Sequence, residues 1–489
     1  MLVRLLVYTH RWLGIALGAL FAGWFISGVV LMYVGMPRLD PAKRLARQPA
    51  LDFSTARLSP ADALTAAGAA APPTPLDRVD LTMLRDRPLY RFQSGRQVVS
   101  AFADTGEPLA PLTDQQALDE ARRFSPDHAG SARHEGLLRT PDQWTLEFAR
   151  QLPMHRIALG DQADTRLYVS ATTGDIVLET TATTRLWAYP GAILHWLYLT
   201  PLRRHGELWA QVIIWSSLAG TVMCGAGLVW GVWRLSPNRR FRLKRQPSAS
   251  PYAGWMAWHH YAGLLFGVVS LTWVFSGLLS MDPWDWHPST SPTRQQRSAF
   301  AGGAYAVGTV SVEQLARAVS RLPGTRTAEL VQSAGSYWLA GEGHTVALAT
   351  DSPDPPLDRA TVTRLAGLAM PGSPIVDVDW LDRYDAYYYD RGGDLPLPVV
   401  RIRYADDVRT WLYVNPARGT VVRKEERLTR LNRWLYHGLH SLDVPFLYYR
   451  RPLWDAVVIV LSLGGFVLTL TTLVPAVRRL RRHARRVGG

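Results

Sequence analysis

Four of the 13 histidines stand in repeated surroundings. His10 belongs to YTHRWLGIALGALFAGWFISGVVLMYVG and His259 to WHHYAGLLFGVVSLTWVFSGLLSM. A shift of 249 residues puts His10 on His259, Gly14 on Gly263, Gly18 on Gly267, Trp24 on Trp273, Ser27 on Ser276, Gly28 on Gly277 and Met32 on Met281. A shift of 245 puts Leu167-Tyr168-Val169 on Leu412-Tyr413-Val414, Gly174 on Gly419, Arg185 on Arg430, His195 on His440, Trp209 on Trp454, Gly220 on Gly465 and Arg234 on Arg479. Apolar composition does not align His, Trp, Ser and several Gly in one ungapped register, so the chain is an internal duplication. Ionisable side chains at the edge of a membrane helix are candidates for function. A two-fold axis relating the halves brings His10 towards His259 at one membrane face and His195 towards His440 at the other. Each face then offers two imidazoles to one metal centre.

Zinc takes three or four N, S or O side chains. Each layer here has two His, few acids and no Cys, and the single Cys224 lies in an apolar helix, which excludes a disulfide framework. Two axial imidazoles in a wide apolar pocket suit haem, whose porphyrin supplies four ligands. Gly14, Gly18, Gly263 and Gly267 leave room for a flat macrocycle, although close helix packing uses glycine in the same way. No CxxCH occurs, so the expectation is two non-covalent b-type haems that carry electrons. His260 beside His259, and His437 three residues before His440, are alternates; their counterparts are Arg11 and Ala192. His128, His134, His155, His287 and His344 have no repeated context and read as ordinary surface or core residues. Arg11, Arg203, Arg204, Arg450 and Arg451 are candidate partners for haem propionates or an anionic substrate.

The elements that position these residues are apolar helices. Leu13 to Val34 carries no charge over 22 residues, about 33 Å of helix at ~1.5 Å per residue, enough for a ~30 Å hydrocarbon core. It is too long for a signal peptide and no small-x-small cleavage site follows. The expected fold is a membrane bundle of four helices with two α+β domains. The expected boundaries are 1–35 (first spanning helix), 36–184 (first soluble domain), 185–235 (amphipathic segment and second helix), 236–254 (basic loop), 255–281 (third helix), 282–429 (second soluble domain), 430–476 (amphipathic segment and fourth helix) and 477–489 (basic tail). Within the first domain, Ala61 to Pro75 reads as helix and loop, and Thr113 to Phe124 has helical spacing. Trp144 to Ala149, Arg166 to Ser170 and Asp175 to Leu178 alternate as strands.

The net charge of +14 brings nucleic acid to mind, but its distribution argues against it. Arg234, Arg239, Arg240, Arg242, Lys244 and Arg245 follow the second helix, and Arg478, Arg479, Arg481, Arg482, Arg485 and Arg486 follow the fourth. That is the positive-inside pattern of a bilayer protein. It puts both termini in the cytoplasm and both soluble domains outside, in the periplasm if the membrane is a bacterial inner membrane. Trp284 and Trp286 after the third helix, and Tyr387, Tyr388 and Tyr389 in WLDRYDAYYYDRGG, form a candidate aromatic surface for substrate.

The motifs HRWLG at His10, WVFSG at Gly277, YVSATTGDIV and YVNPARGTVV, LYHGLHSLD around His440, and YDAYYYDR followed by LPLPVVRIRY resemble the PepSY-associated transmembrane family. The resemblance covers essentially the whole chain. It implies two periplasmic PepSY-like domains and a role in bacterial iron acquisition. Some members are di-haem inner-membrane reductases that release iron from ferric siderophores, and that role falls on His10, His195, His259 and His440. Electrons would come from a cytoplasmic or quinol donor and end on a ferric chelate outside. Two other expectations stand beside this one: a haem-free permease or accessory protein for siderophore uptake, and a membrane regulator that binds peptidases through its PepSY domains.

Overall fold

The structure is a computed structural model and describes residues 1–68, 76–243, 245–349, 357–390 and 392–487, with backbone alone at 482–484 and 486–487. Lys244, Arg391, the end of Ala61 to Pro75 and the side chains of Arg482 and Arg486 lie outside the described residues. Four helices are long and apolar enough to cross a membrane: Leu2–Leu31, Gly206–Arg234, Trp255–Leu279 and Leu453–Val487. The shortest has 25 residues, about 37 Å at ~1.5 Å per residue. The fourth runs on through the basic tail to Val487, because Arg, Ala and Leu are good helix formers and no Gly or further Pro stands between Pro475 and Val487. The expected separate tail at 477–489 is thus, as far as Val487, a continuation of the helix.

The main packing contacts run around a ring, first helix to second, second to third, third to fourth and fourth to first. The first and third helices therefore face each other across the bundle axis, as do the second and fourth. Glycines set the spacing of this ring. A Cβ at Gly465 would lie 2.3 Å from the Phe25 ring, one at Gly464 2.2 Å from Phe266, and one at Gly220 2.6 Å from Phe21. Phe21, Phe25, Met223 and Val274 form the buried middle of the bundle, with Trp24 and Trp273 packed on it.

Outside the bundle the strands are β1 (Arg78–Leu84), β2 (Arg87–Ser94), β3 (Gln97–Phe102), β4 (Arg133–Leu138), β5 (Met154–Ala158), β6 (Arg166–Ser170) and β7 (Ile176–Thr180). A short antiparallel pair, β8 (Phe241–Leu243) and β9 (Gln246–Ser248), lies in the basic loop. The second soluble segment has β10 (Ala328–Ser333), β11 (Ser336–Ala340), β12 (Thr345–Ala347), β13 (Ile375–Leu381), β14 (Val399–Tyr404), β15 (Trp411–Asn415) and β16 (Thr420–Glu425).

Each soluble segment is two modules rather than one domain. β4 to β7 form a four-stranded sheet covered by the helix Asp114–Phe124, and β13 to β16 form its counterpart with the helix Arg359–Ala369. The remaining strands join into one six-stranded sheet in the order β12-β11-β10-β1-β2-β3, so the two soluble segments share a sheet and a core. β1 and β10 are its antiparallel seam, with Val79 opposite Leu330 and Asp80 opposite Glu329. Trp144 to Ala149 is not a strand. Asp142 accepts from the backbone amides of Trp144 and Thr145, and the chain turns into the 3-10 helix Leu146–Gln151. Such side-chain-to-backbone bonds compete with strand pairing.

The seam is testable. Directly opposed residues place their Cβ atoms about 4.5–5.5 Å apart. The pair Asp80→Cys and Glu329→Cys should therefore cross-link under mild oxidation and migrate as a closed loop on a non-reducing gel. The only native thiol, Cys224, is in the bundle. Folded double variant that stays reduced under the same conditions would refute the shared sheet.

Candidate functional site

The four repeated histidines meet in two pairs. The rings of His10 and His259 face each other across the bundle with centres 5.9 Å apart and planes 29° apart. Those of His195 and His440 have centres 6.0 Å apart and planes 63° apart. His195 touches the first helix at Ser27, which lies 17 positions after His10, and His440 touches the third at Ser276, 17 after His259. That is roughly 26 Å of helix at ~1.5 Å per residue, most of a bilayer core. One pair therefore sits at the basic end of the bundle and the other at the end that carries the sheets.

Hydrogen bonding fixes which nitrogen each ring presents. His10 Nδ1 lies 2.9 Å from the Met223 carbonyl, an acceptor only, so Nδ1 carries the proton. His440 Nδ1 likewise lies 3.1 Å from the Trp273 carbonyl. The other two rings meet hydroxyls whose own protons are engaged. Ser27 donates to the Trp24 carbonyl and Thr471 to the Leu468 carbonyl, so Ser27 accepts from His195 Nδ1 at 3.1 Å and Thr471 from His259 Nδ1 at 3.2 Å. Ser276 repeats the Ser27 arrangement for His440. All four rings thus donate through Nδ1 and hold a lone pair on Nε2, as an oriented metal ligand does.

The alternates are placed differently. His260 is buried, with Nε2 2.8 Å from the Gly231 carbonyl and Nδ1 2.7 Å from the Ser250 hydroxyl; both nitrogens serve packing. His437 is exposed and its ring packs on Tyr436, with centres 4.4 Å apart.

A cavity of about 530 Å³ surrounds the His10 and His259 pair. It is lined by Gly14, Gly18, Gly263 and Gly267 among apolar side chains, with Arg11 and Arg479 also at its wall. A Cβ at Gly14 or Gly263 would make only an ordinary contact at 3.7 Å, so these two border space rather than a tight helix contact. Gly267 is different, since its Cβ would meet Leu228 at 2.8 Å. Gly227 was not singled out in the sequence; its missing side chain is where the His10 ring lies. Arg479 was counted only as membrane-flanking charge, and its match with Arg234 under the 245-residue shift gave no hint of a cavity.

The second pair owes its position to irregular helices. A π turn, Tyr189–Ile193, precedes His195, and another, Arg433–Gly438, precedes His440. The helices then stop at Leu197 and Leu442, both left-handed, at φ 51° and 52°. Bulky residues rarely adopt this conformation. Trp209 and Trp454 then pin the two turns by donating to the Trp196 and Ser441 carbonyls. Gly28 and Gly277 leave the imidazoles room: their Cβ atoms would lie 3.5 and 3.6 Å from His195 and His440.

Three of the four arginines expected near this pair are engaged by protein. Arg203 stacks over Trp209 and Tyr198, Arg204 donates to the Pro141 carbonyl, and Arg451 pairs with Asp455 in the fourth helix. Arg450 is exposed. The aromatic surface divides too. Tyr388 is 0 % exposed, stacks on Tyr413 and donates to the Pro396 carbonyl, so it is a core residue and not a substrate contact. Burial pushes its hydroxyl up to about 12. Tyr389 donates to Asp443 beneath the Arg433 guanidinium. Tyr387 lines an open groove with Arg427, Arg430 and Trp434. Trp284 is 76 % exposed and Trp286 half-buried.

No protein-family model matches the chain, and no curated protein matches it significantly.

Gly227 and Gly14 make a matched test of the cavity. Gly227→Ala puts a Cβ 2.4 Å from the His10 ring. Overpacking of this kind costs about 1–3 kcal/mol and should lower the unfolding temperature in detergent. Gly14→Ala should stay within about 0.5 kcal/mol of the parent. Equal effects from the two would show that His10 is not where the cavity geometry requires it.

Proposed function

We propose that this chain is an inner-membrane electron-transfer protein that holds two non-covalent b-type haems and reduces a ferric siderophore, or a similar ferric chelate, on the periplasmic side. The observation that carries the reading is the two imidazole pairs, one ring from each half of the repeat, with every Nδ1 engaged as a donor and Nε2 left as the lone-pair nitrogen. Two metal–nitrogen bonds of about 2.0 Å, between rings whose nitrogens lie roughly 1.15 Å from their centres, set those centres about 6.3 Å apart. The distances of 5.9 and 6.0 Å are close to that span. Among the described residues no third His, Cys, Asp or Glu joins either pair, which disfavours zinc and fits a metal that brings its other four ligands in a macrocycle. A cavity of 530 Å³ is of cofactor size.

Haem, held by His10 and His259 at one end and by His195 and His440 at the other, would supply one-electron transfer. The chain's own residues do the rest. Met223, Thr471, Ser27, Ser276 and the Trp273 carbonyl hold the rings in one tautomer, and the apolar lining keeps water from them. Arg11 and Arg479 supply positive charge for propionates at the basic end. The basic segments after the second and fourth helices favour a cytoplasmic placement of that end, and so a periplasmic one for the PepSY-like modules. A cytoplasmic or quinol donor would then serve the His10 and His259 side. Reduction weakens a hard-oxygen chelate because Fe(II) is softer and less charged.

The decisive measurement is the absorption spectrum of detergent-purified protein, oxidised and then dithionite-reduced, with haem counted per chain. Two low-spin b-type haems are expected, and His→Ala at 10, 259, 195 or 440 should each remove one. Ser27→Ala and Ser276→Ala should weaken retention at the second pair by about 10–100-fold. His260→Ala should keep both haems. A colourless protein from haem-replete cells would sink the reading and return attention to siderophore transport and peptidase binding.

A further inference from the structure

We propose that the first soluble segment carries a further metal centre, independent of the bundle: a site for a divalent first-row transition ion such as Zn²⁺, built from Asp114, His134 and His155. Sequence reading passes over these residues because neither histidine recurs in the duplication. The fold brings them together. Asp114 is the first residue of the helix Asp114–Phe124, His134 lies on β4 and His155 on β5.

Three ligand atoms form a small triangle. His134 Nε2 is 3.0 Å from His155 Nδ1, and Asp114 Oδ1 is 3.3 Å from His155 Nδ1 and 3.5 Å from His134 Nε2. Bonds of about 2.0–2.1 Å to one ion put neighbouring ligands roughly 3.3 Å apart in a tetrahedron and about 3.0 Å in an octahedron. The triangle is thus one face of a coordination polyhedron. His155 Nε2 lies 2.9 Å from the Leu112 carbonyl and must donate to it, which leaves the Nδ1 lone pair pointing at the triangle. The Asp114 side chain is 69 % exposed, so an ion has a way in and water can fill the remaining positions.

The second module shows that the fold does not need these groups. The helix Arg359–Ala369 is capped by Asp358 as Asp114–Phe124 is by Thr113, and Arg359 takes the place of Asp114. His155 corresponds to Val400, since each faces the matching valine of the next strand, Val169 and Val414. His134 faces Ile157, and Val378 faces the matching Ile402. The same junction is therefore built with two valines and an arginine. Arg359 there donates to the Val378 carbonyl. Valine packs at the equivalent place without any polar group to desolvate, so the imidazole of His155, at 1 % exposure, is not there for packing, and its Nδ1 is the atom free to bind an ion.

The test uses full-length, tag-free protein in detergent, stripped with chelator and dialysed against Zn²⁺ and, separately, Co²⁺. The double variant His134→Val/His155→Val copies the packing of the second module, and Asp114→Asn alters an exposed residue. One ion per chain should be lost in the double variant and weakened roughly tenfold or more in Asp114→Asn. The Co²⁺ complex should show visible ligand-field absorption that the double variant lacks. Haem content should be the same in all three proteins, which keeps this result apart from the bundle histidines. Equal Zn²⁺ uptake by parent and double variant, or no uptake by the parent, would overturn the site and leave the triad as a hydrogen-bonded cluster.

Discussion

A neutral imidazole has one donor nitrogen and one acceptor, and at each of the four paired histidines of this bundle the donor is Nδ1. The rest of the arrangement depends on that constraint. Buried in an apolar bundle, each ring must place its N–H on an oxygen or leave it unsatisfied. The available oxygens are those that helices expose least: the carbonyls of Met223 and Trp273, and hydroxyls of Ser27, Ser276 and Thr471 that already bond a carbonyl one turn back. Serine is 0 % exposed at both 27 and 276, which is tolerable in an apolar helix because its proton and its lone pair are both in use. The two serines recur in the duplication for a chemical reason: each orients the histidine that reaches it from the other element of its half.

The irregular turns follow from the same demand. A regular helix leading into the second span would carry His195 and His440 past the serines. Inserting a π turn rotates the following residues, and a left-handed leucine then ends the helix at once. Both features carry a cost, since the π turn weakens the local ladder and leucine avoids positive φ. Their presence at equivalent places in both halves, with a tryptophan donating to each turn, ties the strain to the histidine position rather than to either half's local packing.

The sequence made the spans, the duplication and the histidine pairs legible, because each depends on local composition or on a repeated register. Apolar runs gave the first three spanning helices to within a few residues, while the fourth runs on through the basic tail to Val487. The pairing of His10 with His259 needed only the symmetry of the repeat. Tautomers, by contrast, depend on which oxygen comes within 3.2 Å, and that is set by packing between helices more than 160 residues apart in sequence. The choice between His259 and His260 was illegible for this reason. So was the shared sheet: β1 and β10 read as strands of separate domains, and nothing in either strand names its partner. Tyr388 looked like its neighbours Tyr387 and Tyr389 because alternation around a tight turn buries one ring of three. Asp114, His134 and His155 were missed because the repeat was the filter for function, and it passes only what both halves keep.

What differs between the halves is therefore as informative as what recurs. The bundle keeps its four paired histidines, Ser27 with Ser276, and Gly14, Gly18 and Gly28 with Gly263, Gly267 and Gly277, and each histidine pair takes one imidazole from each half. The soluble modules have no such shared site, and they are free to diverge. One junction of helix and sheet holds Asp114, His134 and His155; the other holds Arg359, Val378 and Val400. Beyond it the two modules agree again: Arg401 pairs with Asp379 and Asp385 in one, and Arg156 with Glu135 and Asp142 in the other. The same backbone register thus presents Asp114, His134 and His155 at one junction and Arg359 with two valines at the other. Symmetry constrains the membrane sites because the two halves build them jointly, and it relaxes where each half builds alone.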